Sequence, residues 1–554
     1  MIHAPGPMKL ARLLRLRRHL AGLGLVVTAA LASACNGCRT TTTPQAAASV
    51  EAEAPTVRLY VISNLAGALE PCGCTEDQLG GIDKLAAFVK GERKKAPASL
   101  LVAAGPTLFM NPQLDEVQAT QDKWKAEAIA TSLRDLGLLA WTPGANDWAA
   151  GATELASLVE ASGARLLAAN LQGETAGATA TALREVGGVK VGVVGVTLPL
   201  VAGAPPSGVQ VEDAATAFRR GIEELEAQGA QILVGAVAMP RGEALRIAEL
   251  VPKLHVLVVG KPSEAGDAND EPAMPMLVGN TLVVQTSNHL QTVGIVDFHV
   301  KNGVFEFADA SNVAKLDQLA SLDKRIAELS TRIATWEREG KVSPADLEAR
   351  KADLTKLKAE RDQLASPPPP PSGSYFRFRL EEVRKKHGSD EAVFDRMLAF
   401  YKRVNEHNKV AFANKQPPPV PEGKSGYVGI EVCSACHMPA RQVWDKTRHA
   451  HAYEALSRQH KEYNLECVGC HVTGYEQPGG STVTVNEKLR NVQCEQCHGP
   501  GEAHAKDPTA PGLIVRSPEP SMCVSACHHP PHVNDFDPVK ARMKILGPGH
   551  GMPL

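Results

Sequence analysis

Eight of the twelve cysteines in this 554-residue chain lie between Cys433 and Cys527, in four close pairs each followed at once by a histidine. Three pairs share one form: Cys433-Ser434-Ala435-Cys436-His437, Cys467-Val468-Gly469-Cys470-His471 and Cys494-Glu495-Gln496-Cys497-His498. A two-residue gap sets both sulfurs near the separation of the two vinyl groups of a porphyrin, and the next imidazole reaches the iron from the same side. These are c-type haem attachment motifs. Paired cysteines also build tetrahedral zinc sites, but a histidine after every pair, in a chain that reads as exported, favours haem. The fourth pair, Cys523-Val524-Ser525-Ala526-Cys527-His528, has three intervening residues. A loop that absorbs the extra residue makes it a fourth attachment site; the alternative is a disulfide or two thiols. Three to four covalent haem c groups are expected, with His437, His471, His498 and His528 as proximal ligands.

Each iron has a sixth position, and its occupant decides the chemistry. Two histidines close the iron and suit outer-sphere electron transfer, whereas an open position suits catalysis. His449, His451, His460, His504, His532 and His550 are the distal candidates; His529 directly follows a proximal ligand. Trp444 with His449-Ala450-His451-Ala452-Tyr453, the run from Cys494 through His498-Gly499-Pro500-Gly501-Glu502-Ala503 to His504, and Gly547-Pro548-Gly549-His550-Gly551 resemble the tetrahaem cytochrome c family of nitrifiers and related multihaem cytochromes. That resemblance implies His449, His504 and His550 as distal ligands. If the first of these segments is helical, His449 and His451 point to nearly opposite sides, and His460 returns three turns later to the face of His449. Residues 426–554 then form a mainly α-helical and irregular multihaem cytochrome c module. So many porphyrins in so short a segment must supply its buried surface, so it should not fold without them.

The N-terminus carries Lys9, Arg12, Arg15, Arg17 and Arg18, then an apolar stretch from Leu20 to Leu31 and Ala32-Ser33-Ala34-Cys35. That is the layout of a signal peptide over 1–34. The last residues resemble a bacterial lipobox, which would place a lipid on Cys35 and leave 35–56 as a flexible tether. The chain is therefore expected on the periplasmic side or surface of a bacterial membrane, anchored by lipid. A net charge of −2 gives no reason to expect nucleic acid as a partner.

Residues 57–308 alternate β-branched runs with helical stretches. Val57–Ser63, Ser99–Ala103, Val189–Val196, Gln231–Val237 and Val256–Val259 read as buried strands, and 115–136, 152–162 and 211–228 as helices. This is an α/β sandwich. Tyr60 through Pro71 with Gly80-Gly81-Ile82, then Ala104-Gly105-Pro106-Thr107-Leu108, then Gly144-Ala145-Asn146-Asp147-Trp148 resemble three motifs of the 5′-nucleotidase branch of the calcineurin-like metallophosphoesterases. In that family these positions supply metal-binding Asp, His and Asn. Here they read Asn64, Ala66, Pro106, Ala145 and Asn146, and the late Gly-His-x-His reads Gly260-Lys261-Pro262-Ser263. Two-metal hydrolysis needs carboxylates and imidazoles, so the domain is expected to be an inactive scaffold. His255, His289 and His299 read as packed or surface histidines. Cys72 and Cys74 remain a candidate redox or metal pair, with a structural disulfide to another cysteine as the alternative.

Between these units, Leu316, Leu319, Leu322, Ile326, Leu329, Ile333 and Trp336 form a helical stripe. Ser343-Pro344 starts a second helix, so 313–366 reads as a helical hairpin or coiled coil. Its stripe faces either the neighbouring domain or, in a homo-oligomer, a second copy. Pro-rich linkers and a connector helix fill 367–425. The expected function is electron carriage between redox protein donors and acceptors. Its competitors are a haem oxidoreductase for a small inorganic substrate, with the irregular fourth motif as the open site, and a residual phosphohydrolase.

Overall fold

The computed structural model describes residues 53–71, 77–266, 268–366, 368–529, 533 and 536–553. The signal segment, Cys35, most of the tether, Cys72, Cys74 and His532 lie outside the described residues.

Strands buried on both faces need apolar side chains at successive positions, and these strands have them. In Val57–Ser63, Val57, Leu59 and Val61 face one core while Tyr60 and Ile62 face another. Ser99–Ala104 and Val256–Gly260 divide in the same way. The result is four layers. One sheet runs Ala308–Asp309, Tyr375–Glu382, Thr292–His299, Val57–Ser63, Ser99–Ala104, Leu138–Thr142, Arg165–Leu166, and its last four strands are parallel. The other runs Ala273–Val278, Thr281–Gln285, Val256–Gly260, Ile232–Ala238, Val189–Thr197, Thr181–Val186. The two sheets share a core of Leu59, Val61, Val102, Val193, Val234 and Val258, among others. Helices Ile82–Arg93, Ala119–Asp135 and Ala152–Ser162 cover the first sheet, and Ala214–Ala227 and Arg241–Leu250 the second. The α/β sandwich expected from the sequence is the fold found.

Residues 375–411, expected within a connector, extend this domain. Tyr375–Glu382 pairs antiparallel with the whole of Thr292–His299. Helix Glu391–Ala411, capped by Asp390 accepting from the Val393 N–H, buries Val393, Met397, Phe400, Tyr401 and Val404 in the first core. The preceding prolines mark the end of the hairpin rather than of the domain.

The hairpin comprises Leu316–Glu339 and Pro344–Ala365, with Ser343 as N-cap accepting from the Asp346 N–H at 3.1 Å and Pro344 in the first turn. Leu322 and Ile333 are buried, and Arg361–Asp323 and Lys351–Glu337 ion pairs cross between the helices. The stripe of the first helix is thus covered largely by the second. Among its described residues the C-terminal region holds only short helices, none longer than the seven residues Met438–Trp444. Among the described residues no helix is long and apolar enough to cross a membrane.

Candidate functional site

Three attachment motifs ride on short helical turns: Ile430–Ser434 carries Cys433, Val468–His471 the second and Cys494–His498 the third. In a helix, residues i, i+3 and i+4 share a face, which puts both sulfurs and the imidazole of each motif on one side. The His437 N–H bonds Cys433 O at 2.9 Å, the i+4 bond of an α-turn. In the fourth motif the His528 N–H bonds Cys523 O at 2.8 Å, one residue further. A π-type turn therefore takes up the extra residue and returns the cysteines and histidine to one face. None of these eight cysteines is in a disulfide.

The histidines pair across gaps of one size. Ring centroids of His437 and His504, of His449 and His528, and of His498 and His550 are each 6.3 Å apart. A metal–imidazole bond is about 2 Å and the ring centre lies about 1 Å behind its nitrogen, so two imidazoles sharing one iron stand about 6 Å apart. The residues fit the group. His471 Nδ1 donates to Ala452 O and His498 Nδ1 to Val515 O, both at 2.6 Å, which leaves Nε2 as the ligating atom. Burial holds His449, His471, His528 and His550 below the ordinary imidazole pKa, and neutral imidazole is the ligand form. Lys461 adds to the effect at His471. Elsewhere in the C-terminal region Val539 and Met543 are 61% and 56% exposed. The buried Arg542 Nε has no hydrogen-bond partner and suits a propionate.

The structure brings together His449, His504 and His550 with proximal partners, and leaves other candidates apart. His451 is exposed beside Glu454 and bonds Asp445 O at 3.2 Å. The helix after His449 ends at Ser457, and His460 follows it with φ 57°, so the expected three-turn helix is absent and His460 does not share the face of His449. Among the described residues no ring pairs with His471. Among the described residues the motif without a facing histidine is the regular second one, whereas the irregular fourth, the open site under the oxidoreductase alternative, faces His449.

The loop that delivers Cys467 is tied to the α/β domain along its length. Gln121 bonds Asn464 and the Leu465 N–H, Asn405 and Asn408 bond the Tyr463 backbone, and Lys125 pairs with Glu466 at 2.5 Å. Sequence reading missed these residues, because nothing local to helix Ala119–Asp135 or Glu391–Ala411 signals a distant polar partner.

The phosphoesterase-like positions are occupied by structural bonds. Asn64 Oδ1 accepts from the Lys261 N–H at 2.7 Å. Asn146 donates to Met110 O and Glu264 O and accepts from the Glu264 N–H. A side chain at Gly105, φ 87°, would start 2.1 Å from Asn64 Oδ1, so this close approach requires glycine. Both ring nitrogens of His255 are bonded, His289 bonds Asn269 and His299 stacks on Tyr375. These histidines are packed, as expected. Among the described residues no group of three or more His, Cys, Asp or Glu is placed to hold a metal ion.

Asp147 joins two of the old motif loops by accepting from the Thr107, Leu108 and Gly144 N–H groups. Burial pushes its pKa up to about 7 against those three bonds. The neutral form is favoured on folding, so this contribution to stability is full below the unfolded value near 4 and is lost as pH rises through about 7. Asp147→Asn puts an N–H donor opposite an N–H donor and is expected to cost about 1–3 kcal/mol. Paired thermal melts of the two proteins should show that cost largest in acid and shrinking towards pH 7.

The fold and the histidine pairs define a two-part protein, an α/β sandwich joined to a c-type haem module. Residues 432–499 match the family Cytochrome c554 and c-prime, whose haem is covalently bound haem c. Within this region the chain is similar to cytochrome c-554 of Nitrosomonas europaea, 37% identical over 91 residues, or 14% of this chain and 39% of that protein. The chain therefore spans well under half of that relative. The structure is similar to the 5′-nucleotidase precursor of Thermus thermophilus, with a TM-score of 0.44 at 17% identity over 68% of this chain and 62% of that one. It is also similar to a calcineurin-like phosphoesterase from Bacillus subtilis, with a TM-score of 0.37 at 17% identity over 45% of this chain and 86% of that one.

Proposed function

We propose that the chain is an exported multihaem c-type electron carrier with four attachment sites, its α/β domain serving as a scaffold without phosphoesterase activity. The observation that carries this reading is the set of three histidine pairs at 6.3 Å. Haem c, when bound, supplies one-electron exchange without bond making, and two axial histidines restrict it to that role. In this reading His504, His550 and His449 are the distal ligands of the first, third and fourth sites.

Sulfur contacts give the order of the sites. Cysteines of different motifs lie near one another, Cys433 by Cys494, Cys470 by Cys527 and Cys497 by Cys523, and the Cys470 thiol donates to Ala526 O of the fourth motif at 3.8 Å. The order is first, third, fourth, second. Cys436 at the first site is exposed and the second site lies beside the α/β domain, which supports docking of a redox partner at the first site. The signal segment and Cys35 would hold the chain at a membrane.

A second reading, a haem oxidoreductase for a small inorganic substrate, is favoured at one place: His471 has no facing histidine among the described residues. One set of measurements on protein matured with all its haems tests the pairing and the second reading. Electron paramagnetic resonance is expected to give three low-spin centres and one high-spin centre, with one carbon monoxide bound per reduced chain. Four low-spin centres and no carbon monoxide would remove the oxidoreductase reading; two or more high-spin centres would break the pairing. Added manganese should release no phosphate from nucleotides, and turnover would return the domain to the hydrolases.

A further inference from the structure

The first N–H groups of a helix have no acceptor inside it and must find one elsewhere. Helix Ile430–Ser434, which carries Cys433, starts after Gly429, a residue with no side chain to supply one. The acceptors come instead from the third attachment motif and its approach. Gln493 Oε1 accepts from the Ile430 N–H and Glu495 Oε2 from the Gly429 N–H, both at 2.7 Å, and Glu495 Oε1 accepts from the Val428 N–H at 3.0 Å. Glu495 is only 2% exposed. Its Oε1 also accepts, at 2.7 Å, from the N–H of Gly501, the residue that begins helix Glu502–Lys506, on which His504 lies. One buried carboxylate thus touches the start of both helices that meet at the first site. One leads to His437 and the other holds His504, and the two rings stand 6.3 Å apart. Ser425 joins the same segments through Pro500 O and the Ala503 N–H, but further from the attachment helix.

We infer that Glu495 is a positioning residue for the first site, setting the gap between His437 and His504 although it belongs to the third motif. Groups behind a metal ligand fix where it points, and their loss weakens ligation. Without this carboxylate the N–H groups of Gly429 and Gly501, both buried, lose their acceptor, and the two segments must part to let water replace it. His504 is then the ligand carried away, because His437 is held to its haem through Cys433 and Cys436. The third motif thereby delivers the distal ligand of the first. The inference rests on the proposal that the first site carries haem with His504 as its distal ligand.

Electron paramagnetic resonance and carbon monoxide titration of protein matured with four haems, counted by intact mass, test it. Glu495→Ala should convert to high spin the same low-spin centre that His504→Ala converts, and add one carbon monoxide per reduced chain to the wild-type number. The centre that His550→Ala converts, on whose motif the change lies, should stay low-spin. Glu495→Gln has one carbonyl oxygen to serve two sides and sets an NH2 against an N–H on the other, so the first centre should become a mixture of low and high spin. Gln496→Ala removes the neighbouring side chain of the same motif, which accepts from the Gly474 N–H at 3.1 Å, and should leave every centre as it was. Wild-type carbon monoxide binding in Glu495→Ala, conversion of the third-site centre in place of the first, or the same conversion in Gln496→Ala would overturn the inference. If Glu495→Ala does not take up four haems, Glu495→Gln decides, and a purely low-spin first centre there overturns it. If His504→Ala itself converts no centre, it is the histidine pairing that fails.

Discussion

His449→Ala is expected to open a second iron site and raise the carbon monoxide bound per reduced chain from one to two. The side chain removed stands 6.3 Å, ring to ring, from His528, which keeps its orientation through stacking on Phe536 at 4.1 Å. Cys523 and Cys527 still attach the haem covalently, so losing one axial imidazole changes the spin state and leaves the haem count intact. Electron paramagnetic resonance should show one low-spin signal converted to high-spin. His504→Ala and His550→Ala should do the same at the first and third sites. His451→Ala and His460→Ala should change nothing, because neither ring faces a proximal histidine. Intact mass separates this outcome from failed maturation. If His449→Ala matures with every haem and still binds one carbon monoxide, His449 is not the ligand of His528.

Which features were legible in the sequence follows from how local their causes are. A haem motif needs its sulfurs and imidazole within one helical turn, so the attachment sites are written in consecutive residues. Strands such as Val57–Ser63 are apolar on both faces and identify themselves. The Ser343-Pro344 helix start is equally local, and the helix begins where it indicates. Other features depend on partners that folding selects. Phe376, Phe378 and Leu380 alternate with Arg377 and Arg379, a strand pattern, yet only Thr292–His299 makes it part of the large sheet. The extra residue in Cys523–Cys527 looks like a defect in the linear motif. Its remedy is a π-type turn, a backbone choice that no residue type announces. Histidine pairing is the extreme case. His449 precedes its partner His528 in the chain and skips the two motifs between them as well as the nearer first one. A resemblance to a family could nominate His449, His504 and His550, but which proximal residue each one faces is a property of the fold.

Preventing haem attachment is expected to unfold the C-terminal module while leaving the α/β domain intact. The α/β domain has three large cores, one between the sheets and one under each helical layer. Among its described residues the module has a single cluster of Tyr453, Val468, Val472 and Val483 with a few half-buried neighbours. Its helices run four to seven residues, far below the roughly 12–15 at which an isolated helix becomes even marginal in water. The Glu495 carboxylate accepts from the Val428, Gly429 and Gly501 N–H groups and ties loops together without burying apolar area. The only large apolar bodies left to close such a segment are the porphyrins. Chains produced without the haem attachment machinery should therefore be trimmed by a protease to a fragment ending in 412–425, with the melting transition of the α/β domain retained. Polar bonds along 463–466 reach the α/β domain, but bonds to an unfolded partner cost ordering entropy and bury no apolar surface in return. If the haem-free chain resisted proteolysis as the matured one does, the module would owe its fold to the α/β domain, and the two parts could not be treated as separate units of stability.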